Sequence, residues 1–205
     1  MVKLFLDGGE FMWPILALLV VGLAFVIERF WTLTRASVNT RKFLSKIRVA
    51  LEEGGVKAAT EECEKTSGPV ASIFHAGLSR ANKGVAYVEK AITTAGSLEM
   101  AFLERGMVVL STVIVLAPML GFTGTVWGMV GAFDSIKKAN DISPAIVAGG
   151  ISQALLTTLF GLIVAMIIQV FNNYFTSRID KLIIDMEESS VELMEALADI
   201  EDKNK

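Results

Sequence analysis

Three long stretches without a charged side chain dominate this sequence, at residues 11–27, 106–133 and 142–177. A helix needs about 20 residues to cross a hydrocarbon layer of about 30 Å, because each residue adds about 1.5 Å. The chain is also 53% hydrophobic with a mean hydropathy of +0.55, whereas soluble domains carry about 45–50% apolar residues. The sequence therefore predicts an all-α polytopic membrane protein with three transmembrane helices.

The first stretch has a rival interpretation as a cleaved signal peptide, since Lys3 precedes an apolar run. Against this, Asp7 and Glu10 lie where a basic region is expected, and no small-x-small cleavage site comes before Arg29. We therefore favour a retained span over 11–33. We expect Glu28 and Arg29, near its end, to extend their side chains towards the head groups.

The orientation follows from the basic residues on either side of the first span. Lys3 alone precedes it, whereas five basic residues follow closely: Arg35, Arg41, Lys42, Lys46 and Arg48. Because basic residues favour the cytoplasmic side, we expect the N-terminus outside and the C-terminus inside; Lys137 and Lys138 in an outer loop argue weakly against this. The predicted segments are a periplasmic N-terminus (1–10), a first span (11–33), a cytoplasmic helical region (34–105), a second span (106–133), a short periplasmic loop (134–141), a third span (142–177) and a cytoplasmic C-terminal helix (178–205).

The cytoplasmic region has the start and stop signals of helices. Asn39 is a candidate cap, Gly54 and Gly55 are expected to end the helix that follows, and residues 67–69 read Ser-Gly-Pro, a turn. The apolar positions of 85–102 recur at intervals of three and four, which predicts one helix running unbroken into the second span.

The third stretch is longer than a membrane is thick, so we expect the same helix to project into water as the tail. Residues from 178 onward repeat an apolar stripe opposite an acidic face. Such a helix packs on a neighbour, which could be the preceding helix or another subunit.

Composition excludes several classes of function. A net charge of -3 and a pI near 5.3 provide no basic field for nucleic acid. The single cysteine, Cys63, and the single histidine, His75, cannot form the usual zinc or Cys/His catalytic sites. We interpret His75 as a surface or packing residue and Cys63 as an inert thiol. No nucleotide-binding loop is visible, so we expect no cofactor and no enzyme.

Small residues recur on one face of each of the last two spans. The second span has Gly121, Gly124, Gly128 and Gly131, and the third has Gly150, Ala154, Gly161 and Ala165. Missing side chains let a neighbouring backbone approach closely, so both faces predict helix packing. Pro118 removes a backbone hydrogen bond one turn earlier and should bend the second helix.

Polar residues lie at one depth beside these small residues. The third span carries Ser152, Gln153, Thr157 and Thr158, and the second carries Thr123 and Thr125. A single threonine in lipid usually bonds to its own helix, but this run could line a polar passage. At about 100° per residue Gln153 and Thr157 share a face, whereas Thr158 lies about 140° from Gln153. Thr158 therefore faces the same lumen only if that lumen is broad or the helix packs on several neighbours.

The most informative feature is an absence. Neither the second nor the third uncharged stretch contains a carboxylate, histidine, lysine or arginine, although proton pathways normally place an ionisable group at membrane depth. The chain therefore reads as the wall of a pathway, and a partner helix with an acidic residue is the simplest supplier of the titrating group.

Two motifs in these spans resemble the signatures of the MotA/TolQ/ExbB proton channel family. Residues 117–129 read APMLGFTGTVWGM, close to the second-span signature A-P-x-L-G-L-L-G-T-V-x-G, and residues 149–162 read GGISQALLTTLFGL, close to G-I-x-E-A-L-x-x-T-x-x-G-L. With three spans, the layout resembles the ExbB/TolQ branch. Gln153 departs from the pattern where a glutamate is common, so either that glutamate is not needed here or coupling differs.

The resemblance implies a homopentamer whose second and third spans enclose a pore, with Thr125 and Thr158 as its pore threonines. It also implies a dimeric, single-span ExbD/TolR-like partner that supplies a membrane aspartate, and a TonB/TolA-like protein that receives the force. Proton flow would then rotate the pentamer in the bacterial inner membrane. A non-conducting membrane scaffold is the alternative, and a membrane enzyme is a weak third. TonB-linked uptake, Tol-type maintenance and gliding remain open as the driven process, as does proton against sodium.

Overall fold

A computed structural model describes residues 2–37, 40–139 and 144–203, and the side chains of 3–37, 40–138 and 147–198. Throughout these ranges the regular structure is helical, without a strand, which confirms the all-α prediction. The helices are α1 (Val2–Asp7), α2 (Met12–Ala36), α3 (Thr40–Lys65), α4 (Pro69–Leu78), α5 (Val85–Glu104), α6 (Met107–Ala139) and α7 (Pro144–Lys203), with a 3₁₀ turn at Ala81–Lys83.

The chain divides into two compact units. The first unit comprises Met1–Arg29 and Gly106–Tyr174, and the second comprises Phe30–Arg105 and Phe175–Lys205. By length and composition, three helices of the described chain can cross a membrane, and they are the ones that carry the predicted spans, α2, α6 and α7. The polytopic membrane fold is therefore confirmed.

The surface of the first unit is apolar, unlike that of a soluble domain, because large apolar side chains cover it. Trp13 is 63% exposed, Phe122 67% and Val130 56%, as expected where lipid replaces water. Its interior is formed by close helix contacts. Gly22 of α2, for example, lies where an added Cβ would be 2.8 Å from Ile168 and 3.4 Å from Val113, both buried.

The second unit has an ordinary apolar core. Phe43 of α3 and Phe74 of α4 are buried and meet edge to face at 5.5 Å between ring centroids. Gly77 of α4 lets α5 approach, since a Cβ there would lie 2.8 Å from Ile92. The tail of α7 buries a stripe of residues at intervals of three and four, with Ser189 as its polar member: Phe175, Ile179, Leu182, Met186, Ser189, Leu193 and Leu197.

Glycines with positive φ set the breaks between helices. Gly68 (φ 136) precedes α4 and confirms the predicted turn at 67–69. Gly55 (φ 67, ψ -164) is non-helical within Thr40–Lys65, so α3 consists of two helical segments and the first of them ends at the predicted glycines. Asn39, the predicted cap, lies outside the described residues. The prediction that the third span continues as one helix into the tail is confirmed, because α7 extends over 60 residues.

The predicted continuous helix from 85 into the second span is wrong. α5 ends at Glu104, Gly106 adopts φ 90, and α6 begins at Met107. A left-handed residue cannot continue a right-handed helix, so the chain turns here. The apolar periodicity continues across the break because both helices bury a face. A change of backbone conformation at one residue does not interrupt that periodicity, so the sequence pattern did not reveal the turn.

We expect Gly106→Ala to destabilise the protein by about 1–2 kcal/mol, because a Cβ is strained at positive φ. The space around Gly106 is ordinary, with the nearest atoms of Phe25 and Arg29 3.4 Å from the added Cβ. Thermal unfolding of the detergent-solubilised protein measures the effect. Gly96→Ala is the matched control: Gly96 is helical and its nearest neighbour would be 3.9 Å away, so its melting temperature should hold or rise. Equal effects of the two changes would contradict the backbone explanation.

Candidate functional site

The contact between α6 and α7 is built on small residues. An added Cβ at Gly121 would lie 3.0 Å from the Thr157 backbone carbonyl oxygen and from the Thr158 Cα, and one at Gly128 would lie 3.2 Å from Ala154. At Gly124 it would lie 2.7 Å from the Thr157 side chain. The two backbones therefore approach to a distance that only glycine permits.

The same contact seen from α7 gives a matching result. A Cβ at Gly161 would lie 2.5 Å from the Ala117 carbonyl oxygen, and one at Gly150 would overlap Ala132. Ala154 and Ala165 are buried on the same helix. The small residues of both helices, spaced over several turns, thus face each other along most of their shared length.

Gly131 and Pro118 differ from the other residues of the predicted packing face. Nothing lies within 4 Å of a Cβ placed at Gly131, so this glycine is outside the contact within the chain, and the expectation that it packs there needs correction. Pro118 lies inside α6, which continues through it from Met107 to Ala139. The bend expected at Pro118 stays a prediction.

Three threonine hydroxyls meet inside this contact, and we call Thr125, Thr157 and Thr158 the threonine cluster. The Thr125 and Thr158 hydroxyls share a hydrogen bond. Two backbone oxygens accept from the cluster: Gly121 O lies 3.2 Å from Thr125, 3.3 Å from Thr157 and 3.1 Å from Thr158, and Ala154 O lies 3.1 Å from Thr125 and 2.8 Å from Thr157. Each hydroxyl has one proton to donate and more than one acceptor within reach, so the cluster can adopt alternative hydrogen-bond arrangements.

Exposure separates the members of the cluster. Thr157 is 1% exposed and enclosed between α6 and α7, whereas Thr125 and Thr158 are half-buried. Helical phase favoured Thr157 as the companion of Gln153, but the structure pairs Thr158 with Thr125 on the neighbouring helix. Thr125 and Thr158 are therefore the members that retain a surface towards another molecule.

Gln153 of α7 takes no part in the hydrogen bonds of the threonine cluster. Its side chain lies beside Gly9, near the start of the chain. Its side-chain amide lies where a Cβ of Gly9 would be, and Gly9 has φ 75. Two further polar residues of the predicted passage, Ser152 and Thr123, are exposed, and Thr123 donates to the Met119 oxygen of its own helix at 2.8 Å. Thr123 thus follows the usual behaviour of a threonine in lipid.

Sequence reasoning missed the burial of Arg29 within the protein; its expected position near the head groups stays a prediction. Arg29 is only 4% exposed, and it donates to both carboxylate oxygens of Glu28 at 2.6 Å. A paired guanidinium is the form in which a buried arginine is tolerated. The signal available in the sequence was the adjacent acidic residue, which pairs the charge and makes a long reach to water unnecessary.

The described side chains contain no cluster of three or more His, Cys, Asp or Glu residues that could hold a metal ion. Cys63 and His75 both line an open cleft of about 720 Å³ in the second unit. Burial, together with the nearby Glu62 and Glu64 charges, raises the pKa of the Cys63 thiol to about 12. His75 is half-exposed with its Nε2 3.4 Å from Glu64. A thiol with this pKa is protonated at neutral pH and is a poor nucleophile.

A comparison with families of known proteins matches residues 65–188 to the MotA/TolQ/ExbB proton channel family. This match covers more than half of the chain, including α6 and most of α7. The chain belongs to this family. The description of the family is that of a proton channel, and with three helices able to cross a membrane the protein is a multi-pass membrane protein.

Individual relatives agree with the family. A relative from Methanothermobacter thermautotrophicus, described as a biopolymer transport protein ExbB homolog, is 34% identical over 87% of this chain and 63% of its own length. The biopolymer transport protein ExbB of Xanthomonas campestris is 34% identical over 67% of this chain and 51% of its own length. An ExbB-like protein of Synechocystis is 26% identical over 83% of this chain and 82% of its own length. The chain therefore spans about half to four fifths of these relatives.

We expect Gly161→Ala to destabilise the protein by about 1–3 kcal/mol, because the new methyl would press on the Ala117 carbonyl and separate α6 from α7. Thermal unfolding in detergent measures the change. Gly131→Ala is the matched control, since it adds the same atom to open space. A melting temperature for Gly161→Ala equal to that of Gly131→Ala would show that the close approach is not needed for stability.

We expect Cys63 to react with iodoacetamide at pH 8 more than about tenfold more slowly than an exposed thiol, because the raised pKa keeps it protonated. The reference is Ser97→Cys, at an exposed position of the same unit, and mass spectrometry follows both alkylations in one sample. The reaction should accelerate as the pH rises towards 12, and similar rates at pH 8 would contradict the assigned burial.

Proposed function

We propose that this chain is the ExbB-like subunit of a proton-driven motor complex in the bacterial inner membrane, coupling the proton-motive force to work in the cell envelope. The observation that carries the proposal is the threonine cluster, held at a glycine-packed contact between two helices whose uncharged stretches contain no carboxylate, histidine, lysine or arginine. Membership of a proton channel family supports it.

The cluster suits the wall of a proton pathway. Hydroxyls both donate and accept hydrogen bonds, so Thr125 and Thr158 can hold water or a partner's acid in several orientations by rotating about one bond. Neither hydroxyl takes up a proton near neutral pH, so the cluster cannot be the relay by itself. The pathway is completed by an acid on another chain.

The rest of the assembly follows from this incompleteness. We infer a homopentamer whose second and third spans enclose a pore, and a single-span ExbD/TolR-like partner whose membrane aspartate occupies it. The half-buried Thr125 and Thr158 are the proposed pore residues, and Thr157 supports them from inside the contact. A TonB/TolA-like protein would receive the force, as the biopolymer transport described for the relatives suggests.

The proposed orientation places the N-terminus in the periplasm and the C-terminus in the cytoplasm. Arg35, Arg41 and Lys42 follow the first span closely, and basic residues are retained on the cytoplasmic side. Segments 34–105 and 178–205 would then lie in the cytoplasm, and 1–10 and 134–141 in the periplasm.

A non-conducting scaffold is the second candidate, since the hydroxyls of the cluster find acceptors within the chain. Reconstitution decides between the two. The chain is purified with its single-span partner, placed in vesicles with a pH gradient, and compared with a complex whose partner aspartate is changed to asparagine. Proton flux that depends on the aspartate supports the motor, whereas a tight complex without flux supports the scaffold.

We expect Thr125→Val and Thr158→Val each to reduce proton flux per assembled complex by about tenfold or more, because each removes a hydroxyl while keeping the side chain's shape. The flux assay above measures this, with size-exclusion chromatography to count assembled complexes. Thr112→Val is the matched control: Thr112 is an exposed residue of α6 whose hydroxyl donates to the Val108 oxygen of its own helix at 2.8 Å.

The control variant should conduct like the natural sequence. Unchanged flux in both Thr125→Val and Thr158→Val, with complexes of normal size, would contradict a threonine-lined pathway. An equal loss in all three variants would indicate a general effect of removing hydroxyls from the membrane helices.

A further inference from the structure

The open cleft of the second unit takes no part in the proposed function. Its volume is about 720 Å³, and sites for small molecules typically enclose about 300–1,000 Å³. Its walls come from four helices: residues 31–36 at the end of α2, 63–67 at the end of α3 and in the turn after it, 68–75 at the start of α4, and 99–103 at the end of α5. The cleft is therefore a space between helix ends, large enough to hold a ligand.

The sequence places this cleft close to where the chain crosses the membrane surface. Trp31 and Arg35 lie at the end of the first predicted span and just after it, and Leu103 comes three residues before Gly106, where the second begins. Trp31 is 72% exposed and Phe102 is 51% exposed. Aromatic side chains, tryptophan above all, are enriched at the level of lipid headgroups. A headgroup is therefore within reach of the cleft.

The charged side chains that line the cleft are Arg35, Glu64, His75 and Glu99. Glu64 lies 3.4 Å from the His75 Nε2, and both side chains are open to water. Within the described part of the chain neither Arg35 nor Glu99 forms an ion pair. With two carboxylates and one guanidinium, the lining disfavours a purely anionic ligand, and Arg35 disfavours a purely cationic one.

Donors for a phosphate converge at the start of α4. Ala36 lines the cleft together with Gly68 and Pro69, and the three also line a smaller adjoining space, so the end of α2 lies beside the start of α4. A helix N-terminus offers backbone N–H groups and a partial positive charge. Arg35 adds a guanidinium, which binds phosphate oxygens in pairs, and Ser72 adds a hydroxyl.

An acceptor for a cation lies on α5. A Cβ at Gly77 would be 2.8 Å from Ile92, and one at Gly96 would be 3.9 Å from Ile73, so α4 and α5 run antiparallel. This register brings Glu99, three residues beyond Gly96, towards the first turn of α4. Glu99 is half-buried, and a carboxylate that loses water without gaining a cation costs free energy. An ammonium group bound in the cleft would recover that cost.

We propose that the cleft binds a phospholipid whose headgroup carries both a phosphate and a primary ammonium, as phosphatidylethanolamine does. Arg35 and the start of α4 hold the phosphate, and Glu99 holds the ammonium. The acyl chains leave past Trp31 and Phe102 towards the membrane. A quaternary ammonium has no N–H to donate to the carboxylate, so a choline headgroup is the weaker ligand. This binding does not depend on proton conduction.

Protection of an introduced cysteine tests the occupancy of the cleft in the full chain. Ser72→Cys places a thiol at an exposed position that lines the cleft, and Ser97→Cys places one at an exposed position of α5 outside it. Both proteins are reconstituted in nanodiscs of phosphatidylcholine, alone or with phosphatidylethanolamine or phosphatidylglycerol added. Mass spectrometry follows maleimide labelling and reads the buried Cys63 separately.

We expect phosphatidylethanolamine to slow the labelling of Ser72→Cys by at least about threefold, as for a site that is about two-thirds occupied. It should leave Ser97→Cys unchanged. Equal labelling of Ser72→Cys with and without this lipid would overturn the proposal. Greater slowing by phosphatidylglycerol would overturn it too, because the cleft would then select an anion. Protection in every lipid would show that protein, such as a neighbouring copy, covers the cleft, which is a third contradiction.

Charge variants separate the two halves of the headgroup. Arg35→Gln and Glu99→Gln should each remove most of the protection of Ser72→Cys, and Glu99→Gln should also remove the preference for phosphatidylethanolamine over phosphatidylglycerol. Arg80→Gln and Glu89→Gln are the matched controls, since both residues are exposed in the same unit and lie outside the cleft. An equal loss in the controls would contradict the assigned contacts.

The headgroup without its acyl chains distinguishes a lipid from a soluble ligand. Glycerophosphoethanolamine carries the same phosphate and ammonium, but it lacks the chains that hold a lipid at the membrane surface. Added to the phosphatidylcholine nanodiscs, it should protect Ser72→Cys far less than the lipid does. Equal protection at equal concentration would show that the cleft serves a soluble compound, and it would overturn the assignment of a lipid.

Discussion

The close approach of α6 and α7 organises the membrane-spanning part of this protein. Gly121 and Gly124 of one helix face Thr157 and Thr158 of the other at distances where a methyl group would overlap the partner's backbone or side chain. In lipid no hydrophobic force drives two apolar helices together, so their association relies on packing and on hydrogen bonds between them. This contact supplies both, and it is the contact that places the threonine hydroxyls side by side.

The same contact supports the proposal that the chain works with a partner. It gathers hydroxyls that orient hydrogen bonds, but the uncharged stretches of α6 and α7 contain no carboxylate, histidine, lysine or arginine. Large apolar side chains cover the first unit, and the second exposes apolar side chains on Val85–Glu104 and on the tail of α7. The proposed function, a channel subunit that conducts only with a partner, is consistent with these features.

Much of this arrangement could be predicted from the sequence because it follows from local pattern. The spans follow from uncharged length, the packing face from glycine spacing, and the turn before α4 from Ser67, Gly68 and Pro69. The break at Gly106 was missed because the apolar period runs through it and one dihedral angle leaves no periodic trace. The burial of Arg29 and its pairing with the adjacent Glu28 were missed because they depend on rotamer and packing.

Uncharged length, helical period and two motifs were enough to predict a helical membrane protein that resembles the proton channel proteins and contributes hydroxyls rather than acids to the membrane interior. Which hydroxyls meet follows from the packing of the helices, which encloses Thr157, pairs Thr125 with Thr158 and brings Gln153 against Gly9. The same packing leaves open space beside Gly131, where an added Cβ would meet nothing within 4 Å. The physical reason is that helical period fixes the direction of a side chain about its own axis, whereas the neighbour that lies in that direction is fixed by how the helices pack.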